Sequence, residues 1–170
     1  MHKNIHAMHK KELTNKYLKG IILHIFIFMS TSKEHTMNRK IAREHAFILL
    51  FENAIKSEET FEEIYIKATE ERGLEVDEYV KNVFFGVSEN SRVIDMKIEE
   101  CLVGWKKERV SYVATAILKL ATYELMFIED IPVKVSINEA IELSKKYDDD
   151  KAYVFVNGVL NKVAESLGRK

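Results

Sequence analysis

The chain has 170 residues, 46% of them hydrophobic and 31% charged, which suits one domain with a substantial core. Its formal net charge is −1. A single cysteine, Cys101, excludes an internal disulfide and favours a reducing compartment. Five of the six histidines lie before residue 37, which leaves His45 alone in the rest of the chain. Most zinc sites and histidine-based catalysis are therefore excluded, and we expect no metal and no cofactor.

Residues 1–36 differ in composition from the rest of the chain. They carry six Lys and two acidic residues, and they include a nine-residue apolar run, IILHIFIFM. A helix that spans a bilayer needs about 20 apolar residues, so we expect no membrane segment. We interpret 1–36 as a leader, either over-called sequence before a true start at Met37 or a disordered tail. A secretory signal peptide is the alternative. The domain is then 37–170, with a cytoplasmic location.

The first half of this domain is predicted to hold four helical segments. Apolar residues at i, i+4, i+7 and i+8 mark the first of them. Thr60 and Glu63 form a capping box that opens the second, and Gly73 ends it. Asp77 caps the third, and Ser91 restarts it as a fourth. The predicted core positions are Ala42, Ala46, Leu49, Leu50, Phe61, Ile64, Ala68, Val80, Val83, Phe84, Val87, Ile94, Ile98 and Leu102.

The segment Gly104–Arg109 breaks this pattern and is the predicted boundary between two halves. Ser111 caps a long helix that is apolar around much of its girth, which is typical of a central helix. Pro132 is predicted to end that helix. Ser136 and Glu139 form another capping box, which is predicted to open the next helix.

The stretch FVNGVL, residues 155–160, gives two conflicting signals. Asn-Gly is the strongest short-range signal for a tight hairpin, but the apolar residues around it recur at helical spacing. We therefore place Asn157 and Gly158 inside a last helix. Because glycine there costs about 1 kcal/mol relative to alanine, we predict that another helix approaches closely at Gly158. The whole pattern predicts an all-α fold of six or seven helices.

Four segments then point to a known family: Ala42-Arg43-Glu44 followed by Ala46, ILKLATYEL (117–125), IPVKVSINEAIELSKKY (131–147) and FVNGVLNKVA (155–164). Together they resemble the NusB family of bacterial transcription antitermination factors, over about Asn38 to Ala164. The resemblance implies two three-helix subdomains packed together and no catalysis. It also implies partners: the single-stranded boxA element of ribosomal RNA leader transcripts, the small-subunit ribosomal protein NusE, and the antitermination complex of RNA polymerase. Some family members pair with themselves, so a homodimer is compatible with it.

Candidate RNA-binding residues begin with Arg39, Lys40 and Arg43 in the first turns of the first helix. Arg39 and Arg43 repel each other four residues apart, and cations at this helix end oppose the macrodipole. Locally unfavourable interactions of this kind are typical of functional sites. A solvated helix start with Lys40 paired to Glu44 explains the same residues equally well. Because NusB proteins bind RNA with an arginine-rich N-terminus, the resemblance favours the RNA-binding interpretation.

Phe155 is the second candidate, because unpaired bases commonly stack on aromatic rings. The residues alone favour a core phenylalanine, whereas the resemblance implies a Phe near the RNA at this position. Asn157, Lys151 and Lys119 complete the predicted RNA-binding set, although each lysine taken singly is typical of any surface. For NusE the candidates are Glu124, Glu129 and Asp130, with ordinary solvated acids as an equal alternative.

Three other functions remain open from the sequence. A helical dimerisation module would use an apolar face of Phe84, Phe85 and Trp105. A relative of the RNA-binding domain of ribosomal RNA methyltransferases is disfavoured because no catalytic domain and no Gly-rich nucleotide loop are found. An enzyme is disfavoured because no motif pairs the acidic residues and His45 stands alone.

Overall fold

The computed structural model describes residues 38–56, 58–102 and 110–169, all within the compact unit Met37–Lys170. These ranges contain seven helices and no β-strand, which confirms the predicted all-α class. Their bounds are α1 Arg39–Ile55, α2 Phe61–Ile66, α3 Glu78–Glu89, α4 Ser91–Cys101, α5 Tyr112–Phe127, α6 Val133–Tyr147 and α7 Ala152–Ser166. A π-helical turn, Lys67–Glu71, continues α2. The leader and the predicted boundary at Gly104–Arg109 lie outside the described residues.

Local capping fixes several of the helix starts. Thr60 and Glu63 form the predicted capping box at α2, with both side chains bonded to the reciprocal backbone N–H groups. Asp77 accepts a hydrogen bond from an α3 backbone N–H, and Ser111 accepts one from an α5 backbone N–H, both at 2.9 Å. Gly73 adopts a φ of 67° just after the π-helical turn. These four predictions are confirmed.

The start of α6 differs from the prediction. The helix begins at Val133, directly after Pro132, so Ser136 lies in its second turn with a buried hydroxyl and caps nothing. The preceding helix already ends at Phe127, and its end therefore owes nothing to the proline. Pro132 is the N-cap residue of α6, a position where its fixed φ of −61° fits and the helix needs no backbone N–H from it. Pro132 therefore opens α6 instead of ending α5.

The central helix is α5. Ten of its sixteen residues are buried, and it packs against α1, α3, α4, α6 and α7. Helices α1, α2 and α3 pack on one another, as do α5, α6 and α7, while α4 packs against α3, α5 and α7. The contacts of α5 with α1 and α3 join the two groups. This arrangement agrees with the two three-helix subdomains that the family resemblance implies.

The backbone carbonyls at the C-terminus of α5 and in the turn that follows accept hydrogen bonds from Arg169. The Arg169 guanidinium donates hydrogen bonds to the backbone carbonyls of Leu125 at 2.5 Å, Ile131 at 3.3 Å and Glu129 at 3.4 Å. Carbonyls at a helix C-terminus lack intrahelical partners, and a cation there also complements the macrodipole. In the described part of the chain, no helix is both long and apolar enough to cross a membrane.

The glycines inside helices correct one prediction. Gly158 is exposed, and nothing lies within 4 Å of the position that a Cβ would take, so the predicted close approach is absent. At Gly86 in α3, by contrast, a Cβ would overlap the ring of Tyr123 on α5. The missing side chain is therefore required where α3 meets α5.

We predict opposite effects for the two glycine-to-alanine substitutions. Gly158→Ala should raise the free energy of unfolding by up to about 1 kcal/mol, because alanine has the better helix propensity and no contact opposes it. Gly86→Ala gains the same propensity but displaces the Tyr123 ring, and overpacking costs about 1–3 kcal/mol. Urea unfolding followed by circular dichroism measures both variants. Equal stabilisation of both would show that Tyr123 does not need the space at Gly86.

Candidate nucleic-acid interface

The first turn of α1 presents two exposed cations, Arg39 and Lys40. The Asn38 side chain accepts hydrogen bonds from the backbone N–H groups of Lys40 and Ile41, both at 3.0 Å, which anchors this turn. No acidic residue lies in the first turn. The positive end of the helix dipole therefore adds to two positive side chains, an arrangement that attracts anions. We call Arg39 and Lys40 the α1 cluster.

The ion pair between Lys40 and Glu44, which was the alternative explanation for Lys40, is not formed. The Glu44 carboxylate instead accepts hydrogen bonds from Lys146 Nζ at 2.6 Å and from Tyr147 Oη. Within the described ranges, neither cation of the α1 cluster forms a salt bridge with an acidic residue. The cluster therefore carries two positive charges that no salt bridge in the described ranges neutralises.

Arg43 does not belong to this exposed cluster. Its side chain is 4% exposed, its Nε donates a 2.8 Å hydrogen bond to Glu124 Oε1, and its Nη1 lies 3.9 Å from Glu139. Its guanidinium is enclosed between helices, so the structure does not place it on the exposed surface of Arg39 and Lys40. Glu124 is fully buried, so its carboxylate does not reach the surface where a protein partner would bind.

Tyr79 on α3 completes this buried cluster. Its hydroxyl donates a hydrogen bond to the same oxygen of Glu124 that Arg43 holds. Burial raises the pKa of Tyr79, and the neighbouring Glu124 carboxylate raises it further, so the hydroxyl keeps its proton and remains a donor. The guanidinium carbon of Arg39 lies 4.6 Å from the Tyr79 ring centroid, and that of Arg43 lies 5.9 Å from it. We call Arg43, Glu124 and Tyr79 the buried triad.

The start of α7 presents the second group of predicted residues. Lys151 is exposed in the turn before the helix, and Phe155 is half-buried one turn later, so the two lie on the same side of α7. We call them the α7 cluster. Lys119 is different, because its Nζ lies 3.1 Å from Asp95 on α4 and its charge is already paired.

Asn157 lies on the other flank of α7. Successive helical residues are about 100° apart, which places Asn157 roughly 200° from Phe155, with the buried stripe of Val156 and Leu160 facing the core. The Asn157 side-chain oxygen accepts a 2.8 Å hydrogen bond from Asn161. The structure therefore places Phe155 and Asn157 on opposite flanks of α7, with the buried stripe between them.

Two residues that the sequence prediction missed connect α1 to α7. Lys145 near the end of α6 lies 5.5 Å from the ring centroid of the exposed Tyr153, and it pairs with Glu142 at 2.8 Å. The hydrogen bond from Lys145 lowers the pKa of the Glu142 carboxyl, and the charge of Lys40 in the α1 cluster lowers it further. Lys40 on α1, Glu142 and Lys145 on α6 and Tyr153 on α7 therefore form a row of interacting side chains. The row ends on the side of α7 that faces α6.

The remaining predicted residues have simpler positions. Glu129 and Asp130 are exposed in the turn after α5, as a surface contact requires. His45, the only histidine in the described ranges, is buried and donates from Nδ1 to the Glu75 carbonyl oxygen at 2.5 Å.

The apolar face considered for a dimer is not continuous on the surface. Phe84 is fully buried, with its ring centroid 4.7 Å from that of Phe61, so it cannot contribute to a dimer surface. Phe85 is half-buried, and Trp105 lies outside the described residues.

We predict that the two arginines of α1 differ sharply in their effect on stability. Arg43→Ala leaves Glu124 buried without its cation, and breaking a buried pair from one side costs about 3–5 kcal/mol. Arg39→Ala, the matched change one turn earlier, should cost less than about 1 kcal/mol because the residue is exposed. Urea unfolding of both variants checks this. An Arg43→Ala variant as stable as the parent would contradict the buried triad.

Comparisons with known proteins agree with this structure. The NusB family model matches residues 40–165. A transcription antitermination protein NusB of Clostridium novyi (strain NT) is 45% identical over 134 residues, covering 76% of this chain and 100% of that protein. The NusB protein of Clostridium perfringens (strain SM101 / Type A) is 44% identical over 135 residues, covering 77% and 99%.

Solved structures show the same fold. Thermotoga maritima NusB matches with a TM-score of 0.68 and 35% identity, covering 77% of this chain and 93% of that chain. A crystal structure of antitermination factors NusB and NusE in complex with dsRNA matches with a TM-score of 0.67 and 30% identity, covering 75% and 96%. Sequence and fold therefore lead to one conclusion: the chain belongs to the NusB family.

Proposed function

We propose that this chain is a transcription antitermination factor that binds the boxA element of ribosomal RNA leader transcripts together with the ribosomal protein NusE. Its relatives are named transcription antitermination proteins, and a structure with the same fold contains NusB and NusE with RNA. The observation in this chain that carries the proposal is the α1 cluster. It presents two exposed cations at a helix N-terminus, and neither forms a salt bridge within the described ranges.

The net negative charge of the domain means that RNA affinity depends on the α1 cluster. Residues 37–170 hold 20 basic and 25 acidic side chains, so most of this surface repels phosphate weakly. RNA affinity must then come from a local group of cations, and each phosphate that such a group neutralises releases counterions. The α1 cluster meets this requirement, because no acidic residue lies in the first turn and Glu44 is held by Lys146 and Tyr147.

The proposed path of the RNA strand follows the exposed cations and rings. From Arg39 and Lys40 it crosses α6 at Lys145 and reaches Tyr153 and Asn157 on the near flank of α7. It then rounds the start of α7, where Phe155 stacks on a base and Lys151 contacts a phosphate. Lys119 and Lys145 each contribute less than an unpaired cation would, because Asp95 and Glu142 already pair with them.

The proposed partner surface is acidic. NusE is a basic ribosomal protein, which a domain with net negative charge complements. Glu129 and Asp130 in the exposed turn after α5 are the proposed contacts, without the buried Glu124. We propose that the protein acts in the cytoplasm, without catalysis, within the antitermination complex of RNA polymerase.

The first prediction from this proposal concerns salt. Arg39→Ala with Lys40→Ala should weaken binding of a short single-stranded boxA RNA and flatten the slope of log K against log salt by about 1.4, since each lost contact with a single strand contributes about 0.7. Fluorescence anisotropy at several salt concentrations, with and without NusE, measures both quantities. The control is Arg92→Ala with Lys134→Ala, which removes two other exposed cations. If both double variants lose the same slope, the α1 cluster has no special role.

The second prediction separates stacking from charge. Phe155→Leu keeps an apolar side chain in the half-buried position but removes the aromatic face, so binding should weaken by about 1–3 kcal/mol with an unchanged salt slope. Phe155→Tyr keeps the ring and should bind nearly as the parent does. The same anisotropy measurement applies to both. Parent-like affinity of Phe155→Leu would show that the RNA does not stack on Phe155.

A further inference from the structure

Arg39 is the only member of the α1 cluster that contacts an aromatic ring in the described structure. Its guanidinium lies over the ring of Tyr79, with the carbon Cζ 4.6 Å from the centroid. The Arg39 side chain is exposed, whereas Tyr79 is 6% exposed. A flexible surface side chain therefore rests on a ring that belongs to the core.

The ring itself is held in place from beneath. The Tyr79 hydroxyl donates to Glu124 Oε1, which also accepts from Arg43 Nε at 2.8 Å. Tyr79, Glu124 and Arg43 come from α3, α5 and α1, so three helices fix this ring. The ring is buried and its hydroxyl is hydrogen-bonded, so core packing and this bond together restrict its movement.

Stacking suits an arginine that binds phosphate. A guanidinium is planar, and a face placed on an aromatic ring leaves the N–H groups along its edge directed outward. These edge groups match two oxygens of a phosphate. A side chain already restricted by the ring also loses less rotamer freedom when the anion binds. Lys40 contacts no such ring, and its ammonium lacks a flat face.

We propose that Tyr79 is a positioning residue for RNA binding: its buried ring holds the Arg39 guanidinium in the orientation in which it binds a phosphate of the RNA backbone. This inference rests on the proposed function. If no backbone phosphate of the RNA contacts Arg39, the Tyr79 ring adds nothing to the binding affinity.

The test is a double-mutant cycle with Arg39→Lys and Tyr79→Leu, measured as the affinity for a short single-stranded boxA RNA. Arg39→Lys keeps the charge but loses the planar stack, so affinity should fall about two- to fivefold in the parent, the range expected for an exposed cation–π contact. In the Tyr79→Leu background the same change should weaken binding less than in the parent, because the ring is already gone and only the paired N–H contacts to phosphate remain to be lost. A purely structural role of Tyr79 would leave the effect of Arg39→Lys unchanged.

Tyr79→Phe separates the ring from the hydroxyl and guards against misfolding. It keeps the aromatic face under Arg39 but leaves Glu124 without one donor, so stability should fall while the RNA affinity of the folded protein stays near that of the parent. Urea unfolding accompanies every binding measurement. If Tyr79→Phe loses affinity as Tyr79→Leu does, the ring is not what positions Arg39.

Arg39→Ala distinguishes failure of this inference from failure of the proposed function. Should Arg39→Ala bind RNA as the parent does, Arg39 is no RNA contact and both proposals about it are overturned. If Arg39→Ala weakens binding while Arg39→Lys has the same effect with and without the Tyr79 ring, the RNA contact stands and the positioning role is overturned.

Discussion

The buried triad is the interaction on which the rest of the structure depends. Arg43 on α1 and Tyr79 on α3 share one oxygen of Glu124 on α5, so a single carboxylate joins three helices across the two halves of the domain. A buried ion pair adds little net stability compared with apolar packing, but removing one partner leaves an uncompensated charge. The triad therefore acts mainly by fixing where α1 lies on α5, and that position determines which cations of α1 reach solvent.

The two arginines of α1 show this division. Arg39 and Arg43 are four residues apart, so helix geometry places them on one face. Yet Arg43 is enclosed by Glu124 and Glu139, whereas Arg39 lies one turn nearer the helix end and is exposed. The apparent breach of local rules at the start of α1 thus has two causes. One arginine satisfies a buried carboxylate, and the other remains unpaired over the Tyr79 ring, where an anion can reach it.

Much of the fold could be predicted from the sequence because its signals are local. Caps at Thr60, Asp77 and Ser111 depend on residues within the next turn, and the apolar stripes depend on helix period alone. The errors involve tertiary contacts. Burial of Arg43 depends on a partner 81 residues away, and the space at Gly158 depends on which helix passes nearby. One signal was available: Glu124 is a lone carboxylate in an otherwise apolar stretch, which indicates a buried cation partner.

The candidate site is thus a small basic region supported by a core interaction, in a domain that otherwise repels phosphate. NMR titration of the ¹⁵N-labelled chain with a short single-stranded boxA RNA tests this most directly, because every backbone amide reports its own environment. The largest shifts are predicted at the amides of Arg39–Ile41 and in the first turn of α7, with smaller ones around Lys145. Largest shifts on the outer faces of α3 and α4, with the start of α1 unchanged, would contradict RNA binding at the α1 cluster.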